Sequence, residues 1–332
     1  MTVPKLAQAP ELSLLIPLYN EEGNLVPLLD RIEEVMASVG KSYEVVLVDD
    51  GSTDRTVELL RDAVGKRPNL RAVFFRRNSG QTAALAAAID SSLGHILIPL
   101  DGDLQNDPAD VPKLLAKLDE GFDVVSGWRR DRHDPFLTRV LPSRLANGLI
   151  SFISGVKLHD YGCTLKAYRR EVLKPIILLG EMHRFIPILA TWQGARVAEV
   201  EVTHHPRAAG KSKYGLGRTF KVVLDLLTIK FMGSFITKPI YAFGGAGAGL
   251  LGLSFLMALY TLWEKVVDGV WVHRNPVFLI AIFFALAGMQ LVVMGLLGEL
   301  LIRIYFATSR TTPYVIREVI ESAEAGGDGS EA

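Results

Sequence analysis

His95-Ile96-Leu97-Ile98-Pro99-Leu100 runs straight into Asp101-Gly102-Asp103-Leu104-Gln105. The first six residues have the length and apolarity of a buried strand; the next five are polar and turn-forming. Two carboxylates at i and i+2, with an amide oxygen at i+4, can converge on one hard cation at a strand end. A D-x-D triplet alone is weak, because aspartates are common in turns. This one gains weight because the same arrangement recurs along the chain. Leu12-Ser13-Leu14-Leu15-Ile16 ends in Pro17-Leu18-Tyr19-Asn20-Glu21-Glu22, and Tyr43 to Val48 ends in Asp49-Asp50-Gly51-Ser52. Arg71 to Phe75 is a third such strand, and Phe122 to Ser126 ends in Gly127-Trp128-Arg129. Between the strands lie helical patterns. Asn24 to Val39 sets Leu25, Leu28, Leu29, Ile32, Val35 and Met36 on one face, and Thr82 to Ile89 is rich in alanine. Thr53 or Asp54 can cap the helix after the second strand. Apolar strands alternating with helices predict an α/β fold, with a mostly parallel sheet covered on both faces. Chemistry in such sheets gathers at the carboxyl ends of the strands, where these polar clusters fall.

The chain has 332 residues, room for one large domain and a smaller appendage. Lys plus Arg equals Asp plus Glu at 36 each, so no overall charge draws it to nucleic acid. A single cysteine, Cys163, excludes an internal disulfide framework and a multi-cysteine zinc site. No basic segment followed by an apolar stretch opens the chain, so no signal peptide is expected. Hydrophobic residues make up 49%, and the mean hydropathy is +0.26. That is apolar for a soluble enzyme, and the excess sits in the last third.

There the physics changes. Pro239 to Trp263 carries no charged residue and is long enough to span a bilayer, for which about 20 apolar residues suffice. Its glycines (Gly244, Gly245, Gly247, Gly249, Gly252) permit close helix packing. Pro276 to Ile302 is a second span, and Glu264 to Asn275 connects the two. A hairpin places both its ends on one side of the membrane. Lys230 and Lys238 before it, and Arg303 and Arg310 after it, assign that side to the cytoplasm. Gly217 to Gly233 spaces Phe220, Val223, Leu224, Leu227 and Phe231 helically, with Arg218, Lys221 and Lys230 alongside. That suits a helix lying in the membrane interface, and also a packed helix of the soluble domain. The expected organisation is a catalytic domain over 1–215 and an interfacial segment over 216–235. Two membrane helices follow over 236–304 (about 239–263 and 276–302), then a tail over 305–332.

The polar clusters suit a nucleotide-sugar. Asp49 and Asp50 can accept hydrogen bonds from a base or ribose, Tyr19 can stack on a base, and Gly80-Gln81-Thr82 opens a helix whose N–H groups can meet phosphate. Together with Arg76-Arg77-Asn78-Ser79-Gly80-Gln81-Thr82-Ala83-Ala84, Asp101 to Gln105, Asp160-Tyr161-Gly162-Cys163-Thr164-Leu165-Lys166-Ala167-Tyr168-Arg169 and His205-Pro206-Arg207 through Gly210-Lys211-Ser212-Lys213-Tyr214, they resemble glycosyltransferase family 2, the inverting enzymes with a GT-A catalytic domain. Within it the chain is similar to the polyprenyl-phosphate subgroup of dolichyl-phosphate mannose synthase and the bacterial undecaprenyl-phosphate glycosyltransferases. Gly295-Leu296-Leu297-Gly298-Glu299 before Arg303-Ile304-Tyr305 resembles its two-span bacterial members.

The resemblance implies roles. Pro17, Tyr19, Glu21 and Asp50 would contact the nucleoside, with Asp49, Asn78, Gly80 and Asp101 also on the donor. Asp101, Asp103 and Gln105 would hold Mg²⁺ or Mn²⁺. Arg129, Arg144, Arg207 and Lys213 would bind the acceptor phosphate, although Trp128 stands where the subgroup's G-S-R pattern has serine. Asp160 would orient the sugar, act as an auxiliary base or serve a structural role. The implied reaction is a single in-line displacement on a UDP- or GDP-sugar by an undecaprenyl or dolichyl phosphate. A phosphate monoester, largely ionised near neutrality, needs no strong general base. Partners would be the donor, the lipid acceptor, the bilayer and further copies of the chain, at the inner membrane. Two other readings compete: a processive polysaccharide synthase, which needs a Q-x-x-R-W motif this chain lacks, and a non-catalytic protein of lipid-linked sugar transport.

Overall fold

The structure is a computed structural model, and it describes residues 9–130, 141–176, 178, 180, 182–206 and 239–309. The expected interfacial segment, Arg207, Lys213 and most of the tail lie outside the described residues. The chain forms two compact units, Met1–Gly233 and Ser234–Ala332.

The first unit is an α/β domain. Its elements run β1 (Leu12–Leu18), α1 (Leu25–Val39), β2 (Tyr43–Asp49), α2 (Thr56–Lys66), β3 (Leu70–Phe74), α3 (Gln81–Ser91), β4 (Ile96–Pro99), α4 (Val111–Asp119), β5 (Val124–Trp128), α5 (Leu141–Ser154), β6 (Lys166–Arg169), α6 (Arg170–Leu173), α7 (Ile186–Trp192) and β7 (Val197–Glu201). The strands form one sheet in the order β3-β2-β1-β4-β6-β5-β7. β1, β2, β3 and β4 pair in parallel, as does β5 with β7. β6 lies antiparallel between β4 and β5.

The central strands are buried because both sheet faces are covered. On β1, Leu12, Leu14, Ile16 and Leu18 pack into one core with residues of α1, α2 and α4, while Leu15 joins a second core with α3, α5 and α7. The two-residue period of a strand makes this division. α1 buries Leu25, Leu28, Leu29, Ile32, Val35 and Met36, the face its spacing predicts. Each such side chain contributes about 1.5–3 kcal/mol on burial. α2 begins at Thr56 with Arg55, not Thr53 or Asp54, at the N-cap position, and Asp54 one residue earlier accepts from the Thr56 N–H at 3.0 Å.

Two strands escape the sequence pattern. β6 is four residues long and carries Lys166 and Arg169; β7 is half-buried to exposed. The insertion of β6 separates β5 from β4, and β7 adds to the edge beyond β5. The antiparallel sense of β6 has a consequence for chemistry: its amino end, with Asp160–Leu165 just before it, emerges at the carboxyl ends of the parallel strands.

The second unit pairs α8 (Pro239–Val267) with α9 (Pro276–Ser309). Both run past the expected span ends at Trp263 and Ile302. Both are long and apolar enough to cross a membrane, with 11% of each most apolar window buried. Core helices of a soluble protein would be mostly buried, and here Phe255, Leu256, Leu279, Phe283 and Leu286 lie more than 60% exposed. Gly247 and Gly288 bring the helices into backbone contact, since a Cβ on either would meet the other's carbonyl oxygen at 2.6–2.8 Å. Ser254 Oγ donates to the Ala281 carbonyl at 2.7 Å across the same seam.

Candidate active site

At the carboxyl edge of β1, β2 and β4 the sheet opens into a cleft of about 660 Å³. Pro17, Tyr19, Glu21, Asp50, Asn78, Gly80, Asp101, Asp103, Gln105 and Arg129 line it, so these sequence candidates share one wall system. Ser143, Gly162, Thr164, His183 and Arg184 also line it.

The amino end of α3 ties the lining together. Asp50 accepts from the Ser79 N–H at 2.7 Å and the Gly80 N–H at 2.9 Å, which pins the loop carrying Asn78. Gln81 Nε2 donates to Asp101 Oδ1 at 2.9 Å, and Thr82 Oγ1 lies 2.7 Å from His183 Nδ1. One helix turn thus contacts three separate parts of the cleft. Asn20, with φ of 54°, accepts from the Thr53 N–H at 2.8 Å and holds the β1 loop against the β2 loop.

The acidic centre is built tightly. A Cβ on Gly102 would come within 2.6 Å of Leu18 Cδ2, so any larger residue between the two aspartates would have to displace the end of the Leu18 side chain. Leu104 adopts a φ of 59°, a conformation rare for a leucine, between Asp103 and Gln105. The loop is fastened from outside: the His205 N–H donates to the Gln105 carbonyl at 2.9 Å, and Asn106 bridges His204. Burial, followed by the neighbouring Asp103 charge, pushes the Asp101 carboxyl up to about 6. Two crowded carboxylates and an amide, all oxygen donors, fit a hard divalent cation, which would relieve that repulsion. No cluster of three or more His, Cys, Asp or Glu side chains suited to a metal occurs among the described residues.

Other candidates are placed differently. Asp49 lies 1% exposed and off the cleft wall, accepting from the Gly51 and Ser52 N–H groups at 3.2 and 3.1 Å. It builds the turn that presents Asp50. Asp160 is equally buried and grips Arg129, with Nε to Oδ2 at 2.7 Å and Nη2 to Oδ1 at 3.1 Å. Although burial works against its charge, the Asp160 carboxylate holds the Arg129 guanidinium above its ordinary pKa. Trp128 stacks on His159, with ring centroids 4.3 Å apart. Arg144 belongs to α5, but its side chain is outside the described residues, as are Arg207 and Lys213.

His183, Arg184 and the role of Lys166 lay beyond the sequence reading. His183 and Arg184 sit in Met182-His183-Arg184-Phe185, whose outer members are buried. Lys166, 3% exposed, donates to the carbonyls of Tyr161, at 3.3 Å, and Cys163. It braces the loop that brings Gly162 and Thr164 to the cleft. The signal available for His183 and Arg184 was a polar pair inside an apolar run, which also describes ordinary structural positions; Lys166 lay in the quoted Asp160–Arg169 stretch without a role assigned to it.

Comparison with known proteins decides the family. The model for glycosyl transferase family 2 matches residues 13–177. A dodecaprenyl-phosphate galacturonate synthase of Rhizobium johnstonii is 42% identical over 318 residues, covering 95% of this chain and 94% of that protein. The chain belongs to glycosyltransferase family 2. An undecaprenyl-phosphate 4-deoxy-4-formamido-L-arabinose transferase of Pseudomonas paraeruginosa is 40% identical to this family 2 glycosyltransferase, covering 94% of it and 91% of the relative. The curated relatives are thus polyprenyl-phosphate sugar transferases, and this glycosyltransferase is an enzyme of that group. Its GT-A-like fold is shared by the glucosyl-3-phosphoglycerate synthase of Mycobacterium tuberculosis, solved with Mn²⁺, UDP and glucosyl-3-phosphoglycerate. The TM-score is 0.53 at 22% identity, over 67% of this glycosyltransferase and 80% of that chain.

Proposed function

We propose that this glycosyltransferase moves a sugar from a UDP- or GDP-linked donor onto a polyprenyl phosphate, undecaprenyl or dolichyl, with inversion at the anomeric carbon. The observation that carries the reading is the shared cleft, in which the Asp101, Asp103 and Gln105 donors and the Arg129 guanidinium line one space. Mg²⁺ or Mn²⁺ held by Asp101, Asp103 and Gln105 would neutralise charge on the departing nucleotide diphosphate.

The remaining steps belong to the protein. Tyr19 and Pro17 flank the base, while Asp50 and Asn78 face the nucleoside. Gln81 fixes Asp101 in place before substrate arrives, which spares reorganisation during reaction. Arg129, oriented by Asp160, draws the acceptor phosphate to the anomeric carbon, with Arg207, Lys213 and Arg144 as further cations for it. The phosphate oxygen is itself the nucleophile and leaves no proton to remove, so positioning and charge neutralisation are the protein's task. The buried pairing of Asp160 supports orientation of Arg129 over the auxiliary-base role. The apolar hairpin would anchor the enzyme as a multi-pass protein of the inner membrane, with the catalytic unit cytoplasmic and the glycine-rich first span serving a homo-oligomer.

A donor screen tests the reading. Purified protein in detergent receives Mn²⁺ or Mg²⁺, undecaprenyl phosphate and a panel of UDP- and GDP-sugars. The expected result is one donor giving a lipid-linked monophosphate sugar whose anomeric configuration is opposite to that of the donor. A product of retained configuration contradicts the single displacement, and nucleotide binding without product on any acceptor contradicts the transfer.

A further inference from the structure

Arg184 lines the cleft beside the first turn of α3, and nothing in the functional reading employs it. Its neighbours in sequence hold it there. Met182 and Phe185 are buried in the core beneath α3 and α7, 8% and 0% exposed. His183 is fixed by Thr82 Oγ1 at 2.7 Å. Arg184 is thus presented by a short helical turn anchored on both sides and latched to α3. The same residue also lines a small hollow with Gln81, Gly162, Thr164 and Lys166, next to the acidic centre.

Charge explains why a cation there matters. The described cleft walls carry four carboxylates, on Glu21, Asp50, Asp101 and Asp103, against two guanidiniums, on Arg129 and Arg184. Arg129 has two of its nitrogens committed to Asp160. A nucleotide-sugar diphosphate and a lipid phosphate both bring negative charge into this space. A guanidinium presents a planar fork of N–H donors that matches phosphate oxygens and stays charged at any working pH. His183 beside it stays neutral: burial, then the Arg184 and Lys166 charges, hold its pKa down at about 3.

We propose that Arg184, seated by the His183–Thr82 contact, is a phosphate-binding residue of the cleft. The proposal rests on the glycosyltransferase reading for the identity of the phosphate, which belongs to the donor diphosphate or to the lipid acceptor. Calorimetric titration of full-length wild type, Arg184→Gln and Arg184→Lys with UDP and GDP in Mn²⁺ reads the donor arm. The KM for undecaprenyl phosphate reads the acceptor arm. Arg184→Gln is expected to weaken one arm on the order of tenfold or more, with Arg184→Lys intermediate. Weaker nucleotide binding assigns the residue to the donor; a raised acceptor KM with nucleotide binding intact assigns it to the lipid phosphate. Both arms within twofold of wild type, or a fall in kcat alone, overturn the proposal. Should Arg184→Gln fail to fold, Arg184→Lys decides: a threefold or greater loss in either arm supports it, and unchanged arms overturn it. Wild type that binds nucleotide but transfers no sugar defeats the functional reading and leaves the titration comparison standing.

Discussion

The bidentate contact between Arg129 and Asp160 is the tightest electrostatic commitment at the cleft, with side chains 16% and 2% exposed. Removing one partner strands the other charge in low dielectric. Asp160→Ala is therefore expected to cost about 3–5 kcal/mol in chemical denaturation, far more than a surface pair would. His183 carries a second prediction. The unfolded chain protonates this histidine at its ordinary pKa of 6.5, while the folded protein resists until about 3. Between those values the unfolded state binds more protons, so stability is full above 6.5 and falls as the pH drops towards 3. Melting temperatures measured from pH 7 to pH 4 should fall less steeply in His183→Gln than in wild type. Residue identity made Asp101, Asp103 and Asp50 legible, because they end apolar strands in clusters. It could not separate Asp49 from Asp50, adjacent and chemically alike, since only the turn geometry turns one towards the cleft and the other into its own loop. Nor could it pair Asp160 with Arg129, thirty-one positions apart.

At the scale of elements, the first turn of α3 and the brace under the Asp160 loop organise the cleft. Lys166 supplies that brace, although burial pulls its pKa down. Lys166→Met would keep the bulk and remove the donors, leaving the carbonyls of Tyr161 and Cys163 without their buried partner. The expected cost is about 1–3 kcal/mol, read as a lower urea midpoint. A raised donor KM should accompany it, because the loop carries Gly162 and Thr164 into the cleft lining. The face of α1 and the first five strands follow from the hydrophobic pattern, whereas α4 (Val111–Asp119) to α7 (Ile186–Trp192) carried no such reading. β6 and β7 do not follow from it either: β6 is too short to show a period, and the exposure of β7 erases alternation. Both are defined by the neighbours they pair with, which is a tertiary fact.

The whole molecule joins an α/β catalytic unit to an apolar helix pair. Within the pair, Gly247 and Gly288 set the helix separation. Gly288→Leu is expected to force α8 and α9 apart and lower the melting temperature in detergent, whereas Gly249→Leu, where a Cβ meets nothing within 4 Å, should leave it unchanged for an isolated chain. The composition of these helices announced them without any periodicity, since a lipid-facing helix is apolar all round.

In the proposed function, Asp103 helps hold a divalent cation that makes the cleft a sugar-transfer site. The most direct test compares sugar transfer to undecaprenyl phosphate by wild type and Asp103→Ala, each with Mn²⁺ and with a chelator. Metal-dependent product is expected from wild type, none after chelation, and a loss on the order of 10²-fold or more in a variant that melts like wild type. Undiminished transfer by Asp103→Ala, or by wild type stripped of metal, would contradict it.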